Sequence, residues 1–430
     1  MYRASNRKKI PLLRGGNEVD GVERNPQPTK SDKVKRKNTM ENQNQKQKPR
    51  VVFPFVEAGL GHIMPMTAVA DAFEEKYGDR CEIVRTKFFK DTQNQDMMWV
   101  EEELIREVKK HNRNRANGFF QFLAMRMFGQ KKSLWFVYRR HYKRGLSAAL
   151  EYIKQLDADL IFHTHFATLY YACEAKKLGL INPQTKIAAY CPDPVIGLQW
   201  DKRADLIALS SQTGAQAAAK SLTFKRTPTA VVPFLIRKNV AEYTKSRPEY
   251  RRELGLPEDK FTILLADGAY GAGRLKQTVH RLMQSKLPLT VVAVCGRNEA
   301  LYQEFLKITP PDNITFAPYG FTDKMLLLSA SCDLFIGKAG ASNLAEPAYF
   351  GAPAIVTFLA TPIEKWICRH YTHHVKSAVK ITNVNKAVLT AEAWAQNPAL
   401  MQPYIDACKS EQRYDGPDKL ADILWEMVSG

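Results

Sequence analysis

From Arg50 onward, short apolar runs alternate with stretches in which apolar residues recur every three or four positions. RVVFPFVEAG (50–59) predicts a buried strand, and MPMTAVADAFEEKYG (64–78) has helical periodicity. CEIVRTKFF (81–89) predicts a second strand, and a long helical region then runs to about residue 156. ADLIFHTHF (158–166), KIAAYCPDP (186–194), DLIALSS (205–211) and AVVPFLI (230–236) predict further strands, with helices such as 168–178 and 212–221 between them. A polar joint spans about 237–248, after which the alternation restarts: FTILLADGAYG (261–271), LTVVAVCG (289–296), ITFAPYGF (314–321), DLFIGKAG (333–340) and APAIVTF (352–358). Strands that are apolar throughout and separated by helices belong to parallel sheets covered on both faces. The pattern therefore predicts an α/β chain of two doubly wound domains, at 49–240 and 241–390, whose strand C-termini face a shared cleft. Helices over 391–430 follow the second sheet, either staying on it or crossing back to the first domain.

Charge changes this picture at two places. The net charge is +19, of which residues 1–50 carry +9 and residues 101–150 carry +8, leaving +2 for all the rest. A nearly neutral body with two basic attachments argues for local contact with something anionic and against an overall nucleic-acid-binding surface. Residues 1–48 are rich in Lys, Arg, Asn and Gln with few large apolar residues, the composition of a disordered tail. Met40 is a candidate alternative translation start, which the sequence does not decide. Seven cysteines stand singly, at 81, 173, 191, 295, 332, 368 and 408. An odd count without a CxxC pair fits neither a disulfide framework nor a zinc site, so a reduced, cytoplasmic protein is expected. No run reaches the roughly 18 apolar residues of a membrane span, and the basic N-terminus lacks a signal-peptide core.

The candidate chemistry sits at predicted strand ends. In FIGKAGASNLAEPAYFGAPAIV (335–356), the turn containing Gly340 and Ala341 is small enough for a phosphate to approach the backbone. Ser342 is expected to open a helix whose free N–H groups favour an anion. Glu346 then lies one turn in, where its carboxylate reaches a ribose diol. In LLADGAYGAGRLKQ (264–277), Gly268, Gly271 and Gly273 can expose backbone donors to a diphosphate, with Arg274 nearby. VCGRNEAL (294–301) places Gly296 and Arg297 at another strand end, and GFTDKM (320–325) offers Phe321 and Thr322 to a base. In EAGLGHIMPM (57–66), Gly59 and Gly61 tighten a strand-to-helix turn, and His62 begins the helix either as a general base or as a packing histidine. GLGH lacks the third glycine of a dinucleotide fingerprint, and no GK[ST] follows residue 273.

GLGHIMPM, VCGRNEAL and KAGASNLAEPAYFGAPAIV together resemble the GT-B glycosyltransferases. The similarity is to the diacylglycerol glycosyltransferases of the monogalactosyldiacylglycerol synthase type and to the peptidoglycan transferase that acts on an undecaprenyl lipid. It covers roughly residues 50–425. The resemblance implies inverting transfer of a hexose from a UDP-sugar without metal or cofactor. It implies His62 as base, Glu346 on the donor ribose, and Phe321 and Thr322 at the uracil. Where that family often has Gly-Gln-Glu facing the donor sugar, this chain has Pro362 and Ile363 before Glu364 and Lys365.

Asp157-Ala158-Asp159 matches a metal motif of another glycosyltransferase architecture, but it precedes its strand and reads as a polar turn. Asp193, in CPDPVIGLQW, either orients His62, binds the acceptor or bounds a proline turn; His165 is a further candidate. Residues 118–145 interleave Phe119, Phe120, Phe128 and Trp135 with Lys131, Lys132, Arg139 and Arg140. That pattern fits either insertion at an anionic bilayer surface or a helix pair with a solvated basic face. The sequence thus leads to a peripheral glycosyltransferase on the inner face of the cell membrane, acting on a lipid such as diacylglycerol. The alternatives are a polyprenyl-linked or soluble acceptor and, in another class, a basic nucleic-acid-associated protein.

Overall fold

A computed structural model describes residues 48–57, 60–113, 143–268, 271 and 273–430. Two six-stranded sheets organise them, and every strand pairing is parallel. The first sheet comprises β1 (Arg50–Phe55), β2 (Glu82–Lys87), β3 (Leu160–His163), β4 (Lys186–Cys191), β5 (Leu206–Leu209) and β6 (Thr229–Val231), in the order β2-β1-β3-β4-β5-β6. The second comprises β7 (Phe261–Ala266), β8 (Leu289–Val294), β9 (Ile314–Tyr319), β10 (Leu334–Lys338), β11 (Ala354–Phe358) and β12 (Ala378–Lys380), in the order β12-β11-β10-β7-β8-β9.

Burial on both faces explains the continuous apolar runs. Val51 and Phe53 of β1 join one core with Phe162 and Tyr190, while Val52 between them joins the opposite core with Ile161 and Ile187. The second sheet repeats this: Ile263 and Leu265 face one core, and Leu264 and Ala266 the other. A strand alternates its side chains, so a sheet with helices on both faces needs apolar residues at every position.

The final helix, Gly416–Ser429, lies on the first sheet's side of the molecule. Leu420, Ala421 and Leu424 complete the core formed by β1 and the helix Leu60–Tyr77. Tyr77 stacks on Trp425 with centroids 4.8 Å apart, and its hydroxyl donates to Asp422 at 2.6 Å. The final helix thus packs on the half that contains β1.

Three local features differ from the sequence reading. The strand read over 230–236 is only Thr229–Val231, because it is an edge strand and Pro233 follows it. The short edge strand β12 has too few apolar residues to register as a run. The helix read from Ser342 begins at Ala341, with Gly340 as its N-cap.

Candidate functional site

Strand order decides where the candidate residues meet. In the first sheet β1 lies between β2 and β3, so the connections leaving β1 and β3 diverge from neighbouring strands. In the second, β7 and β10 are neighbours, with β8 and β9 on one side and β11 and β12 on the other. Such switch points open a crevice at the carboxyl ends of the strands. His62 follows β1, Thr164 and His165 follow β3, the glycine loop from Gly268 follows β7, and the helix Ala341–Tyr349 follows β10. Both groups of candidates therefore sit at switch points.

On the first sheet, His62 Nδ1 lies 2.6 Å from the carbonyl oxygen of Thr164. A carbonyl only accepts, so Nδ1 carries the proton and Nε2 of the neutral ring keeps its lone pair. The Thr164 hydroxyl donates back to the His62 carbonyl at 2.7 Å. The His165 ring meets His62 edge-on, with centroids 4.7 Å apart, and stacks on Phe166. His165 Nδ1 accepts from the Ala167 N–H, capping the helix Phe166–Lys177. Burial lowers the pKa of all three histidines here: His62, His165 and His163, the last to about 3. His62 is thus held neutral at pH 7, which a general base requires. Gly61 is exposed and would tolerate a Cβ.

Asp193 follows β4 but does not orient His62, whose ring nitrogen is held by the Thr164 carbonyl. Burial, with the charge of Glu364 from the other half adding to it, raises Asp193 to about 7. Asp157 ends the helix Leu146–Leu156 in the left-handed region, and Asp159 accepts from the Arg50 N–H at 2.8 Å. Both precede β3, at the opposite end of the strand from Thr164 and His165.

On the second sheet, no N-cap side chain bonds the start of the helix at Ala341 among the described residues, which leaves its first N–H groups without a side-chain cap there. Ser342 is therefore the second helical residue. Glu346 is raised to about 7 by burial, which the nearby Arg237 guanidinium partly offsets. Arg237 Nε is itself buried with no hydrogen-bond partner among the described residues. Gly268 and Gly271 both have positive φ, at 78° and 54°. A Cβ on Gly271 would lie 2.5 Å from the Cys295 carbonyl oxygen, so the loop requires glycine there. Gly296 also has positive φ, and the Arg297 guanidinium lies 5.0 Å over the ring of Phe321, which is exposed. The Thr322 hydroxyl accepts from the Lys324 N–H.

Two residues that the sequence reading passed over lie at the centre of this half. Lys338 pairs with Glu364 at 2.7 Å, both side chains being nearly sealed from water. Its ammonium would lie 3.8 Å from a Cβ placed on Gly268, so it lies against the glycine loop. Asp267 accepts from the Arg274 and Leu275 N–H groups at 2.7 Å, and its other oxygen is buried with no hydrogen-bond partner among the described residues. Burial raises Asp267 to about 6. Glu364 also accepts from the Ala360 N–H, which fixes its carboxylate, whereas Lys365 points to solvent. The signal for Lys338 was its place at the end of β10; only the strand order puts it beside the loop after β7.

Phe119, Phe120, Phe128, Lys131, Lys132, Trp135, Arg139 and Arg140 lie outside the described residues. Among the described residues, no helix is long and apolar enough to cross a membrane. None of their His, Cys, Asp and Glu side chains form a group of three or more able to hold a metal ion.

The architecture matches solved structures. A crystal structure of MurG from Acinetobacter baumannii superposes with a TM-score of 0.56 at 15% identity, covering 88% of this chain and 99% of that one. The fold is GT-B. Residues 262–404 match the model of the glycosyltransferase family 28 C-terminal domain. A Streptomyces avermitilis UDP-N-acetylglucosamine–N-acetylmuramyl-(pentapeptide) pyrophosphoryl-undecaprenol N-acetylglucosamine transferase is 28% identical over 235 residues, covering 51% of this chain. The chain spans 62% of that relative's length. The transferase of the same description from Clostridioides difficile is 23% identical over 331 residues, 74% of this chain and 72% of the relative. A probable chloroplastic monogalactosyldiacylglycerol synthase from Glycine max is 30% identical over 128 residues, 28% of this chain and 24% of the relative.

Proposed function

We propose that this GT-B protein is an inverting, metal-independent glycosyltransferase that moves a hexose from a UDP-sugar to a membrane lipid such as diacylglycerol. The observation that carries the reading is the pairing of His62, neutral with its Nε2 lone pair available, with a second half that matches a glycosyltransferase family 28 C-terminal domain. His62 Nε2 takes the proton of the acceptor hydroxyl as that oxygen attacks the anomeric carbon and the bond to the UDP oxygen breaks. The uncapped helix N-terminus at Ala341 and the glycine loop from Gly268 stabilise the charge that develops on the leaving diphosphate. Glu346 receives the ribose hydroxyls, and Phe321 and Thr322 flank the base.

The names of relatives support a lipid-linked acceptor: one group is a pyrophosphoryl-undecaprenol N-acetylglucosamine transferase and another is a probable monogalactosyldiacylglycerol synthase. The aromatic and basic residues of 118–145 supply the means to reach such an acceptor from the inner face of the cell membrane without a spanning segment. The test is incubation with radiolabelled UDP-glucose, UDP-galactose and UDP-N-acetylglucosamine, each with diacylglycerol in anionic vesicles. A labelled glycolipid that requires diacylglycerol supports the proposal. Label appearing only on an added polyprenyl phosphate overturns the acceptor but keeps the chemistry. Release of no UDP under any condition, together with salt-sensitive retention of RNA on filters, would replace it with nucleic-acid binding.

A further inference from the structure

We propose that Thr164 is the positioning residue of the base, setting which nitrogen of His62 accepts the proton. The inference rests on the reading of His62 as general base. It starts from a reciprocal pair: His62 Nδ1–H donates to the Thr164 carbonyl at 2.6 Å, and the Thr164 hydroxyl donates to the His62 carbonyl at 2.7 Å. The two residues are 102 apart in sequence and follow different strands, β1 and β3. Their bonds therefore tie the two connections that diverge at the first switch point.

A neutral imidazole has two tautomers, and the one present follows from the bond its other nitrogen makes. Here that partner is a main-chain carbonyl, which cannot titrate and cannot donate. The Nδ1–H form is fixed over the whole working pH range, and Nε2 is left as the accepting nitrogen. A carboxylate in this place would do the same only while ionised. Asp193, the acid nearest to the role by sequence, is not among the groups acting on the His62 ring; the charge that acts on it is that of Glu364. Glu57, just after β1, pairs with Lys90 and Lys87 and is not among the groups acting on His62. The titratable group against His62 among the described residues is His165. Its Nδ1 is occupied by the Ala167 N–H, and burial keeps it neutral, so it adds no charge.

Thr164 is fully buried, and its hydroxyl is what holds the carbonyl-bearing turn against the start of the helix Leu60–Tyr77. Removing the hydroxyl while keeping the shape, in Thr164→Val, frees the two turns to separate and weakens the Nδ1 bond. That bond raises the His62 pKa against the larger lowering by burial. Weakening it therefore moves the acid limb of activity to lower pH and lets the Nε2–H tautomer, which cannot accept the proton, become populated.

The experiment uses the full chain and two readouts. Long-range proton–nitrogen NMR of the uniformly 15N-labelled protein, with His62 assigned by its loss in His62→Ala, reports the tautomer directly. The expected wild-type form is Nδ1–H; an Nε2–H form in the wild type overturns the proposal without reference to activity. The second readout is the pH profile of transfer from a labelled UDP-hexose to diacylglycerol in mixed micelles. Thr164→Val should lose about tenfold in kcat, the size of one hydrogen bond's contribution, and shift the acid limb of kcat/KM to lower pH. Thr164→Ser should restore both. A Val variant whose kcat and acid limb equal those of the wild type overturns the proposal, as does a limb that moves to higher pH. If His62→Ala is fully active, the reading of the base fails; if it is inactive and Thr164→Val is normal, only the role of Thr164 fails. If Thr164→Val does not fold, the wild-type tautomer decides.

Discussion

The two sheets share one architecture yet present opposite chemistry at their switch points. The first offers neutral imidazoles: His62 and His165, with His163 behind them, all kept uncharged by burial. The second offers charge and backbone: a buried Lys338–Glu364 pair, Glu346 and Asp267 shifted upward by burial, glycines with positive φ and an uncapped helix N-terminus. An imidazole must be neutral to accept a proton, whereas a diphosphate and a ribose need donors and acceptors held ready. The two demands thus fall on the ends of two different sheets. Substitutions in the first half should accordingly change turnover, and those in the second half affinity for UDP.

The sharpest way to break this comparison is His62→Ala. Turnover should fall by about 10²–10⁴-fold, the range of general-base contributions, while calorimetry finds UDP affinity unchanged. A mutant that loses UDP binding would mean the halves are not separate in function.

Next in size is the membrane. Changing Lys131, Lys132, Arg139 and Arg140 to Gln should weaken flotation with anionic vesicles by about a hundredfold or more, since each basic residue at the surface contributes about 1 kcal/mol. Transfer to lipid in a bilayer should fall with it, whereas transfer to a detergent-dispersed short-chain acceptor and UDP affinity should not. If a chain starting at Met40 fails to float while the quadruple variant floats normally, the tail is the anchor.

Glu346→Gln sharpens the other side. It removes a carboxylate acceptor for two hydroxyls, so UDP affinity should drop about tenfold or more. The Glu346 pKa is raised from 4.5 to about 7 in the folded protein. Folding therefore takes up protons at this site, and the buried charge costs stability increasingly as pH rises from 4.5 through 7. The Gln variant should be more stable than wild type at pH 8, by about 1–3 kcal/mol, and equal to it at pH 4. Wild-type UDP affinity should fall as pH drops below 7 and the carboxylate protonates; in Glu346→Gln it should not. A wild-type affinity flat from pH 8 to 5.5 would remove Glu346 from the ribose.

The smallest effect tests the glycine loop. Gly271→Ala forces a side chain into a positive-φ position 2.5 Å from a carbonyl oxygen, a strain of about 1–3 kcal/mol. Thermal melting should show the loss, and UDP should recover part of it.

Much of this protein was legible in its sequence. Both faces of each parallel sheet are buried, so strands such as β1 and β7 must be apolar at successive positions, and the two rounds of strand and helix follow from that. The glycines at 268 and 271 were visible because only glycine meets positive φ cheaply. Thr164, Lys338 and Arg237 were not legible as site residues. Nothing in their local pattern distinguishes them from a strand-end threonine, a turn lysine or a linker arginine. What the sequence cannot state is which strands are neighbours. The two pairings that decide the sites, β1 with β3 and β7 with β10, join residues about 110 and 70 positions apart, and any order of β1 to β6 would satisfy the same apolar pattern. Only the tertiary structure places β3 beside β1, so that the Thr164 carbonyl meets His62, and β10 beside β7, so that Lys338 meets the loop of Gly268. The chemistry was written in residue types; its assembly was decided by strand order.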